Sequence, residues 1–444
     1  MRNAEPFTFT LGGVHPPGRK ALTAGLPLEV MPPQSRYVVS MAQHFGAPAV
    51  PLVKKGDAVR EGLRIGGVDK FLGAEVHSPV TGTVVSVGRA PHPILGPVPA
   101  VVIERDPEAP DAAVTPLEWE SLQACDILAR IRDAGVVGMG GAGFPTHVKL
   151  CPPANLTIDT CILNGVECES YLTADHRLML ERPADIVQGL RILLKTLGAE
   201  RAFIGIENNK PDAVEALRAA VAAAGEGKRV TVAALDVKYP QGSEKQLIEA
   251  LTGRRVPAGG LPAHVGCVVQ NVATANAVYE AVALGRSCYE RVVTVSGRGV
   301  ARQANLVCRV GVTLADLAAH LGGLREEAVK CVLGGPMMGF AVAGLDYPVT
   351  KTTSGVLFLT AEESPEFEHG PCIRCGRCLD ACPMGLMPNE MSIYAERRKY
   401  DGMPRFGLWE CFECGSCSYV CPAKRPLVQF IRAGKARLKS GAGK

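Results

Sequence analysis

The feature that most restricts this chain is a pair of cysteine runs near its C-terminal end. Residues 372–383 read CIRCGRCLDACP and residues 411–422 read CFECGSCSYVCP, and both fit the spacing C-x2-C-x2-C-x3-C-P. This spacing is typical of proteins with two [4Fe–4S] clusters, in which the fourth cysteine of each run ligates the cluster of the other run. The runs therefore predict one cluster on Cys372, Cys375, Cys378 and Cys421, and a second cluster on Cys411, Cys414, Cys417 and Cys382.

Two structural zinc sites are the alternative interpretation of these cysteines. Zinc sites favour pairs of C-x2-C separated by a longer spacer, so a tandem four-cysteine run that ends in proline fits them poorly. Gly376 and Gly415 suit positions where the backbone approaches a cluster and donates N–H groups to sulfur. Because such clusters carry single electrons, we expect electron transfer as the function, and not hydrolysis or group transfer.

Composition narrows the class of protein further. The 444 residues predict two to four domains, and a formal net charge of +4 gives no reason to expect nucleic acid as a partner. No run of about 18 apolar residues is present to cross a bilayer, and the first residues show no apolar core of a signal peptide. Eight of the 16 cysteines are crowded into the two runs, which indicates metal ligation in a reducing compartment. The other eight are expected to be buried thiols.

A glycine-rich stretch, VVGMGGAGFPTHVKL at residues 136–150, contains three glycines that match G-x-G-x-x-G: Gly138, Gly140 and Gly143. A dinucleotide fingerprint of this kind follows a strand. Here the preceding residues are apolar at helical spacing up to Gly135, so a helix leads into the loop. Pro145 suits the first turn of another helix, and Lys149 adds a positive charge. The stretch therefore predicts a phosphate-binding loop, and a glycine-rich turn without a ligand is the alternative.

The segments after this loop alternate between two patterns. Strand-like TIDTCILNG, RAFIGIE and RVTVAALD alternate with helix-like RPADIVQGLRILLKTLG, NKPDAVEALRAAVAAAG and SEKQLIEALTG. This alternation predicts a parallel α/β sheet, in which ligands lie at the carboxyl ends of the strands. Three polar loops are expected at or beside those ends, and they begin at Asn164, Lys238 and Val268. They carry candidate ligand-facing side chains in an acidic pair and an amide pair: Glu167 with Glu169, and Gln270 with Asn271.

The motifs GMGGAGFPTHVK, NGVECES, YPQGSEKQLI and QNVAT, in this order, resemble those of the flavin- and NADH-binding subunit of respiratory complex I. The resemblance implies non-covalent FMN as a cofactor and NAD(H) as a substrate. Residue by residue, it implies an FMN phosphate and ring cradle of Gly138, Gly140, Gly141, Ala142, Gly143 and Lys149. It implies further FMN contacts from Asn164, Gln270, Asn271 and Thr274, and an NADH side formed by Phe144, Glu167, Glu169 and Glu244. This chain departs from that family at Val166, Gln270 and Ala273, and Cys168 lies between the two glutamates.

The flanking segments predict a multidomain fold class. Residues 1–115 resemble a β barrel-sandwich hybrid of the biotinyl and lipoyl type, although Lys70 lacks the surroundings of a carrier lysine. Residues 116–290 are expected to form an α/β Rossmann-like flavin domain, and residues 291–360 resemble a β-grasp module of the soluble-ligand-binding type. Residues 361–444 are expected to form an α-helical and loop domain of the two-cluster ferredoxin type. The basic C-terminal end is expected to be a solvated tail, with a docking or membrane-surface element as the alternative.

In this order, the predicted domains resemble the C subunit of the Rnf family of ion-translocating ferredoxin:NAD+ oxidoreductases. The segments GGVHPPGRK, HSPVTGTV and GGPMMGFA add to the resemblance. It implies a peripheral subunit of a membrane-bound redox complex on the cytoplasmic face of the bacterial inner membrane. Such a protein would exchange hydride between NAD(H) and FMN and pass single electrons through two clusters to or from its partners in the complex. It would reach ferredoxin only indirectly, and no side chain would be catalytic because the flavin transfers the hydride.

Two other functions stay open at this point. One is a soluble flavo-iron–sulfur cobalamin reductase, a class that typically begins near the glycine loop without the leading barrel. The other is a cluster-bearing scaffold without NADH activity, which the changed pocket positions keep possible.

Overall fold

The fold is described by a computed structural model of residues 7–114 and 116–440. The outer ends of the first and last predicted domains lie outside these described residues, as does residue 115, where the first domain boundary was predicted. None of the described helices is both long enough and apolar enough to span a membrane.

The first described residues run along other parts of the molecule before they enter the barrel. Phe7 forms an isolated parallel bridge with Leu235, and Val14 forms an antiparallel bridge with Tyr239. Strand β1 (Leu28–Val30) then pairs in parallel with residues 305–307 of a distant sheet. We call residues 7–20 the N-terminal strap.

The predicted all-β segment consists of two small antiparallel sheets, of strand order β2-β8-β7-β4 and β3-β5-β6. Their inward side chains form one core with apolar residues of the later six-stranded sheet. The strands are β2 (Arg36–Ser40), β3 (Val50–Pro51), β4 (Ala58–Val59), β5 (Arg64–Gly67), β6 (Val76–His77), β7 (Gly82–Ala90) and β8 (Val98–Arg105).

The predicted parallel sheet is confirmed, with strand order β11-β10-β9-β12. The helix before the glycine loop and the helix after it are also confirmed. The elements are α1 (Ala124–Asp133), α2 (Thr146–Lys149), β9 (Thr160–Asn164), α3 (Ala174–Glu181), α4 (Pro183–Leu197), β10 (Arg201–Glu207), α5 (Pro211–Ala223), β11 (Val230–Leu235), α6 (Glu244–Thr252), β12 (Cys267–Asn271) and α7 (Val272–Ala283).

The prediction of a polar loop from Val268 is wrong. The segment is the end of strand β12 followed at once by helix α7, because the Asn271 side chain accepts a hydrogen bond from the Ala273 N–H at 2.8 Å and caps the helix. Of the polar side chains that suggested a loop, Thr274 and Asn276 are buried in the helix and Gln270 is buried at the end of the strand.

A six-stranded mixed sheet of order β1-β14-β13-β17-β15-β16 follows. It contains the predicted succession of strand, strand, short helix and strand, and β1 from the N-terminal region completes one edge. The elements are β13 (Glu290–Ser296), β14 (Ala304–Arg309), α8 (Leu314–His320), β15 (Ala328–Leu333), β16 (Phe340–Val342) and β17 (Gly355–Thr360).

The cysteine runs lie in a compact arrangement of short helices. They are α9 (Arg377–Asp380), α10 (Pro388–Glu396), α11 (Ser416–Tyr419) and α12 (Leu427–Lys439). The expectation of a solvated C-terminal tail is wrong for α12, which buries Leu427, Val428 and Ile431 in the cores of this domain. The expectation that all eight scattered cysteines are buried is also wrong, because Cys125 and Cys151 are exposed.

Helices α4 and α7 pack closely at Gly189. A Cβ atom at this position would lie 1.9 Å from the backbone oxygen of Ala275, so the two backbones leave no space for a side chain. We expect Gly189→Ala to destabilise the α/β domain by about 1–3 kcal/mol, measured as a lower midpoint of thermal or urea unfolding. Gly227→Ala is the matched control, because a Cβ there meets no neighbouring atom. Equal midpoints for both variants would contradict this packing.

Candidate functional site

The glycine loop folds back on itself between α1 and α2. The Gly138 N–H donates to the Phe144 carbonyl at 2.9 Å, and Val137 and Pro145 form an isolated bridge. Gly143 has φ of +70° and a Cβ there would lie 2.6 Å from Thr352, so only glycine fits this corner. At the exposed tip, a Cβ on Gly141 would meet no atom within 4 Å. The tip is therefore open on the side where a ligand would lie.

Helix α7 fixes this loop against the carboxyl edge of the parallel sheet. The Thr274 hydroxyl accepts a hydrogen bond from the Met139 N–H at 2.9 Å, and Gly140 lies close to the Asn271 side chain. Asn271 and Asn164 are register partners at the ends of β12 and β9. Gln270 is buried beside them, and its Nε2 donor has no hydrogen-bond partner among the described residues. These predicted FMN contacts therefore meet at one edge of the sheet.

A third segment completes this edge. The Asn164 side chain donates to the Gly242 carbonyl at 2.8 Å, and Glu244 begins α6 two residues later. Glu244 forms an ion pair with Lys149 at 2.5 Å, and both side chains are partly exposed. Lys149 and Glu244 were expected on opposite sides of the pocket, against flavin and NADH respectively, and here they contact each other.

The acidic pair, Glu167 and Glu169, binds backbone N–H groups of this chain. Both oxygens of Glu167 accept N–H groups at the start of α3, from Asp175 at 2.7 Å and His176 at 3.2 Å. Both oxygens of Glu169 accept N–H groups from Met337 and Met338, at 3.1 and 2.8 Å. Burial raises the pKa of Glu169 to about 7. Backbone donors of this chain therefore bind both carboxylates.

Asp175, which was not predicted from the sequence, is hydrogen-bonded to residues of this edge. Its carboxylate accepts a hydrogen bond from Asn271 at 2.7 Å, which connects Glu167 to the amide beside Gly140. Burial and the charge of Glu167 raise the pKa of Asp175 to about 6. The sequence signal for Asp175 is its position at the start of a helix, after an acidic loop. An acidic residue at such a position usually caps the helix, so the signal does not indicate a ligand site.

The barrel also contributes a residue that was not predicted. The Phe45 N–H donates to the Gly143 carbonyl at 2.9 Å, and the Phe45 and Phe144 rings are tilted with centroids 5.9 Å apart. Both residues are exposed, at 51% and 37%. Phe45 lies some hundred residues before the glycine loop, so no local pattern connects the two.

Lys20 of the strap, also not predicted, holds the acidic loop. Its buried ammonium group donates to the backbone carbonyls of Glu167, Glu169 and Leu172, at 2.8, 2.9 and 2.6 Å. Burial, followed by the charge of Lys210, lowers the pKa of Lys20.

The eight cysteines of the two runs lie in one domain of short helices. Residues of the first set line one cavity: Cys372, Cys375, Cys378 and Cys421. In the second set, burial raises the pKa of Cys417, and the nearby charges of Cys414, Cys411 and Cys382 raise it further. Among the residues that the structure describes, no three cysteine, histidine or carboxylate side chains are close enough to chelate one metal ion.

The two runs are near copies in backbone conformation. Gly376 and Gly415 have φ of +79° and +84° and precede the equivalent helices α9 and α11. Backbone N–H groups reach sulfur in the second set, from Leu386 to Cys382 and from Glu413 to Cys411, both at 3.4 Å. Left-handed glycines and N–H donors to sulfur are what a cubane cluster needs from its loops, so the donor set fits two [4Fe–4S] clusters.

The second set lies against the flavin-domain edge. The Tyr239 hydroxyl donates to the Cys414 carbonyl at 2.7 Å, and the Gln246 side chain donates to the Pro383 carbonyl at 3.1 Å. In the strap, a Cβ on Gly12 would lie 2.6 Å from the Cys382 carbonyl, and the Gly13 N–H donates to Ala381. Among the described residues the first set has no such contact, and its Cys375 is exposed.

Comparison with protein families divides the chain into four matched segments. Residues 7–108 match the RnfC barrel sandwich hybrid domain, and residues 131–280 match the Nuo51 FMN-binding domain. Residues 292–341 match the SLBB domain, and residues 364–422 match the 4Fe-4S dicluster domain. The multidomain organisation predicted from the sequence is confirmed at this level.

Curated relatives match over almost the whole chain. The C subunit of the proton-translocating ferredoxin:NAD(+) oxidoreductase complex of Clostridium ljungdahlii is 48% identical, over 95% of this chain and 92% of that protein. The C subunit of the Na(+)-translocating ferredoxin:NAD(+) oxidoreductase complex of Acetobacterium woodii is 43% identical, over 98% of each chain. The C subunit of the ion-translocating oxidoreductase complex of Pseudomonas aeruginosa is 41% identical, and the match spans 55% of its length.

Among solved structures, an NAD+-reducing [NiFe]-hydrogenase in the air-oxidized state has a TM-score of 0.50 and 22% identity. The match covers 64% of this chain and 54% of that chain, and it shows a likeness of fold alone.

The exchange of the fourth cysteine between the runs can be tested with paired substitutions. Cys372→Ala with Cys421→Ala removes two ligands of one predicted cluster, so we expect about four iron atoms per chain and one unaltered cluster signal. Cys411→Ala with Cys421→Ala removes one ligand from each cluster, so both signals should change. Iron analysis and electron paramagnetic resonance of the reduced proteins measure this. The reverse pattern would mean that each run holds its own cluster.

Proposed function

The chain belongs to the family formed by the C subunits of ion-translocating ferredoxin:NAD+ oxidoreductase complexes, and from this premise we propose how its residues perform electron transfer. The protein connects NAD(H) with the other redox subunits of the complex, and through them with ferredoxin. The observation that carries the proposal is the contact between the second cysteine set and the edge of the sheet where the glycine loop lies.

FMN, when bound, exchanges hydride with a nicotinamide and single electrons with iron–sulfur clusters. The glycine loop suits the phosphate and ring of FMN because the space beside Gly141 is open and a helix N-terminus follows. We infer that Lys149 supplies positive charge there while Glu244 orients it. Asn164, Gln270, Asn271 and Thr274 hold the rim, and the unpaired Gln270 donor suits a flavin acceptor. Gly138, Gly140, Ala142 and Gly143 shape the loop itself.

We infer that the NADH side is formed by Phe144, with Phe45 of the barrel beside it, and by the exposed part of Glu244. Glu167 and Glu169 act as positioning residues in this proposal, because their oxygens are held by backbone donors. No side chain is required as an acid or base.

The two cysteine sets have different places in the proposed route. Cys411, Cys414, Cys417 and Cys382 lie next to the flavin domain, whereas Cys372, Cys375, Cys378 and Cys421 lie farther away on the exposed side. The two sets share a small apolar core that contains Cys378, Cys417 and Cys421. We infer that the second set is the neighbour of the flavin site and the first set is the exchange point with partner subunits.

We infer a Rossmann-like α/β domain for residues 116–290, a β-grasp module for residues 291–360 and a ferredoxin-type domain for residues 361–444, after a barrel-sandwich hybrid in residues 1–115. A peripheral position on the cytoplasmic face of the bacterial inner membrane fits membership of the family. The cobalamin-reductase and scaffold alternatives gain no support from the relatives.

Anaerobic addition of NADH to the purified, cofactor-loaded chain tests the proposed function. We expect the flavin absorbance band to bleach and the cluster signals to change after it. A chain that retains FMN and both clusters but does not react with NADH would contradict the proposal and support the scaffold alternative.

Gly141→Val tests the FMN cradle. Its side chain would enter the open space at the loop tip, so we expect loss of FMN with both clusters retained, measured by flavin release and iron content. Lys149→Ala should also lose FMN, because it removes the positive charge near the phosphate. Gly227→Val is the control, since it adds the same side chain at an open position outside the site. Normal FMN content in both site variants would refute the proposed cradle.

A further inference from the structure

The two cysteine runs allow an internal comparison, because equivalent backbone positions carry different side chains. Arg374 and Glu413 occupy the same place between the first two cysteines, with φ of +55° and +64°. Arg377 and Ser416 begin the equivalent helices α9 and α11. Lys424 and Gly385 follow the fourth cysteines, with φ of +52° and +63°. The three cationic positions all belong to loops around the first cysteine set.

The second run, with its loop around Cys414, is the inner copy, and other parts of this chain cover it. Glu413 forms ion pairs with Arg432 and Lys435, both at 2.9 Å. A Cβ on Gly415 would lie 2.8 Å from the Met337 carbonyl, and the Tyr239 hydroxyl donates to Cys414. The loop face of the second set is therefore a protein interface within the molecule.

The first run, with its loop around Cys375, is the outer copy. No equivalent contact from another domain covers its loop face among the described residues. Arg374, Arg377 and Lys424 are exposed and form no ion pair with any described carboxylate. Asp380 lies one helical turn from Arg377 but makes no ion pair with it. The Lys424 ammonium group lies over the Phe367 ring, 4.6 Å from the ring centroid. In sequence, the exposed residues Cys375 and Ile373 lie beside these cations, and Ile373 is 64% exposed.

An apolar centre with a rim of unpaired cations has the properties of a docking face for an acidic partner. Charges at the rim of an interface increase the rate of encounter and fix the orientation of the partner, while the apolar centre excludes water. The equivalent loop face of the second set is covered by Tyr239 of the flavin domain and Met337 of the module that follows it. In this molecule such a loop face therefore forms an interface with neighbouring units.

We propose that Arg374, Arg377 and Lys424 form the docking site for an acidic surface of another redox subunit of the same complex, with Ile373 at its centre. This inference rests on the proposed function and adds the partner's chemistry and the residues that recognise it. It explains why cations surround the first set, whereas an acid, a serine and a glycine stand at the equivalent positions of the second set.

The test is a triple charge reversal, Arg374→Glu, Arg377→Glu and Lys424→Glu, in the assembled complex in membrane vesicles. The matched control is Lys228→Glu, Arg437→Glu and Lys439→Glu, which changes the net charge equally at exposed positions elsewhere. We expect ferredoxin-dependent NAD+ reduction to slow by about tenfold at low ionic strength in the docking variant only. The difference between the variants should shrink as salt screens the charges.

Reduction of the isolated chain by NADH separates this inference from the proposed function. We expect the docking variant to bleach its flavin and reduce its clusters as the unaltered chain does. Loss of that reaction in the docking variant alone would mean that the cations act on the cluster itself and would overturn the docking proposal. Failure of the unaltered chain to react with NADH would instead refute the proposed function.

Two further results would overturn the docking proposal. One is equal activity of the docking and control variants in vesicles. The other is binding of the isolated chain to phosphatidylglycerol vesicles that the docking variant loses, because the occupant would then be an anionic lipid surface. Carbodiimide coupling of Lys424, and of Arg374→Lys, to a carboxylate of another subunit would support the protein partner, since this reagent joins amines to carboxylates at contact distance.

Discussion

The contact between the flavin domain and the second cysteine run is the constraint on which the rest of the structure depends. Electron transfer requires a short and fixed separation between cofactors, so the loop that carries Cys414 has to be held against the sheet edge that carries Asn164. The segment from Tyr239 to Gly242 does this directly. Tyr239 donates to the Cys414 carbonyl at one end, and the Gly242 carbonyl accepts from Asn164 at the other.

The N-terminal strap strengthens the same contact from outside. Gly13 donates to Ala381, Val14 pairs with Tyr239, and Lys20 binds the carbonyls of the acidic loop. Lys20 and Lys210 both enclose their ammonium groups and bind that loop, Lys210 through the Val166 carbonyl and Glu207. Burial of two ammonium groups is costly unless their donors are satisfied, so these contacts indicate that the loop geometry matters for function.

Much of this organisation could be predicted from the sequence. Cysteine spacing predicted the two sets, because a cubane imposes a strict covalent geometry on its ligands. Periodicity predicted the strands and helices of the α/β domain, because each element buries one apolar face. The glycine loop was recognised from its G-x-G-x-x-G spacing, and the structure shows why Gly143 suits its place, because its backbone conformation is one that other residues rarely adopt. The remaining features depend on contacts between distant residues. Phe45, Lys20 and Tyr239 act through partners in other domains, and no local pattern records such pairing.

The segment at Asn271 was predicted as a loop because the polar residue that caps a buried helix resembles the start of a loop. Glu167 and Glu169 were expected to face a ligand, and their bonds to backbone N–H groups were not foreseen, because an acidic residue in the sequence does not show which partner it binds.

The order of the two cysteine sets is the central claim, and rapid mixing with NADH tests it most directly. A Cys411→Ala/Cys414→Ala chain that retains FMN and the first cluster would be mixed anaerobically with NADH and followed by optical and electron paramagnetic resonance. The predicted result is a flavin that bleaches while the first cluster stays oxidised far longer than in the unaltered chain. Reduction of the first cluster at the unaltered rate would contradict the proposed route through the second set.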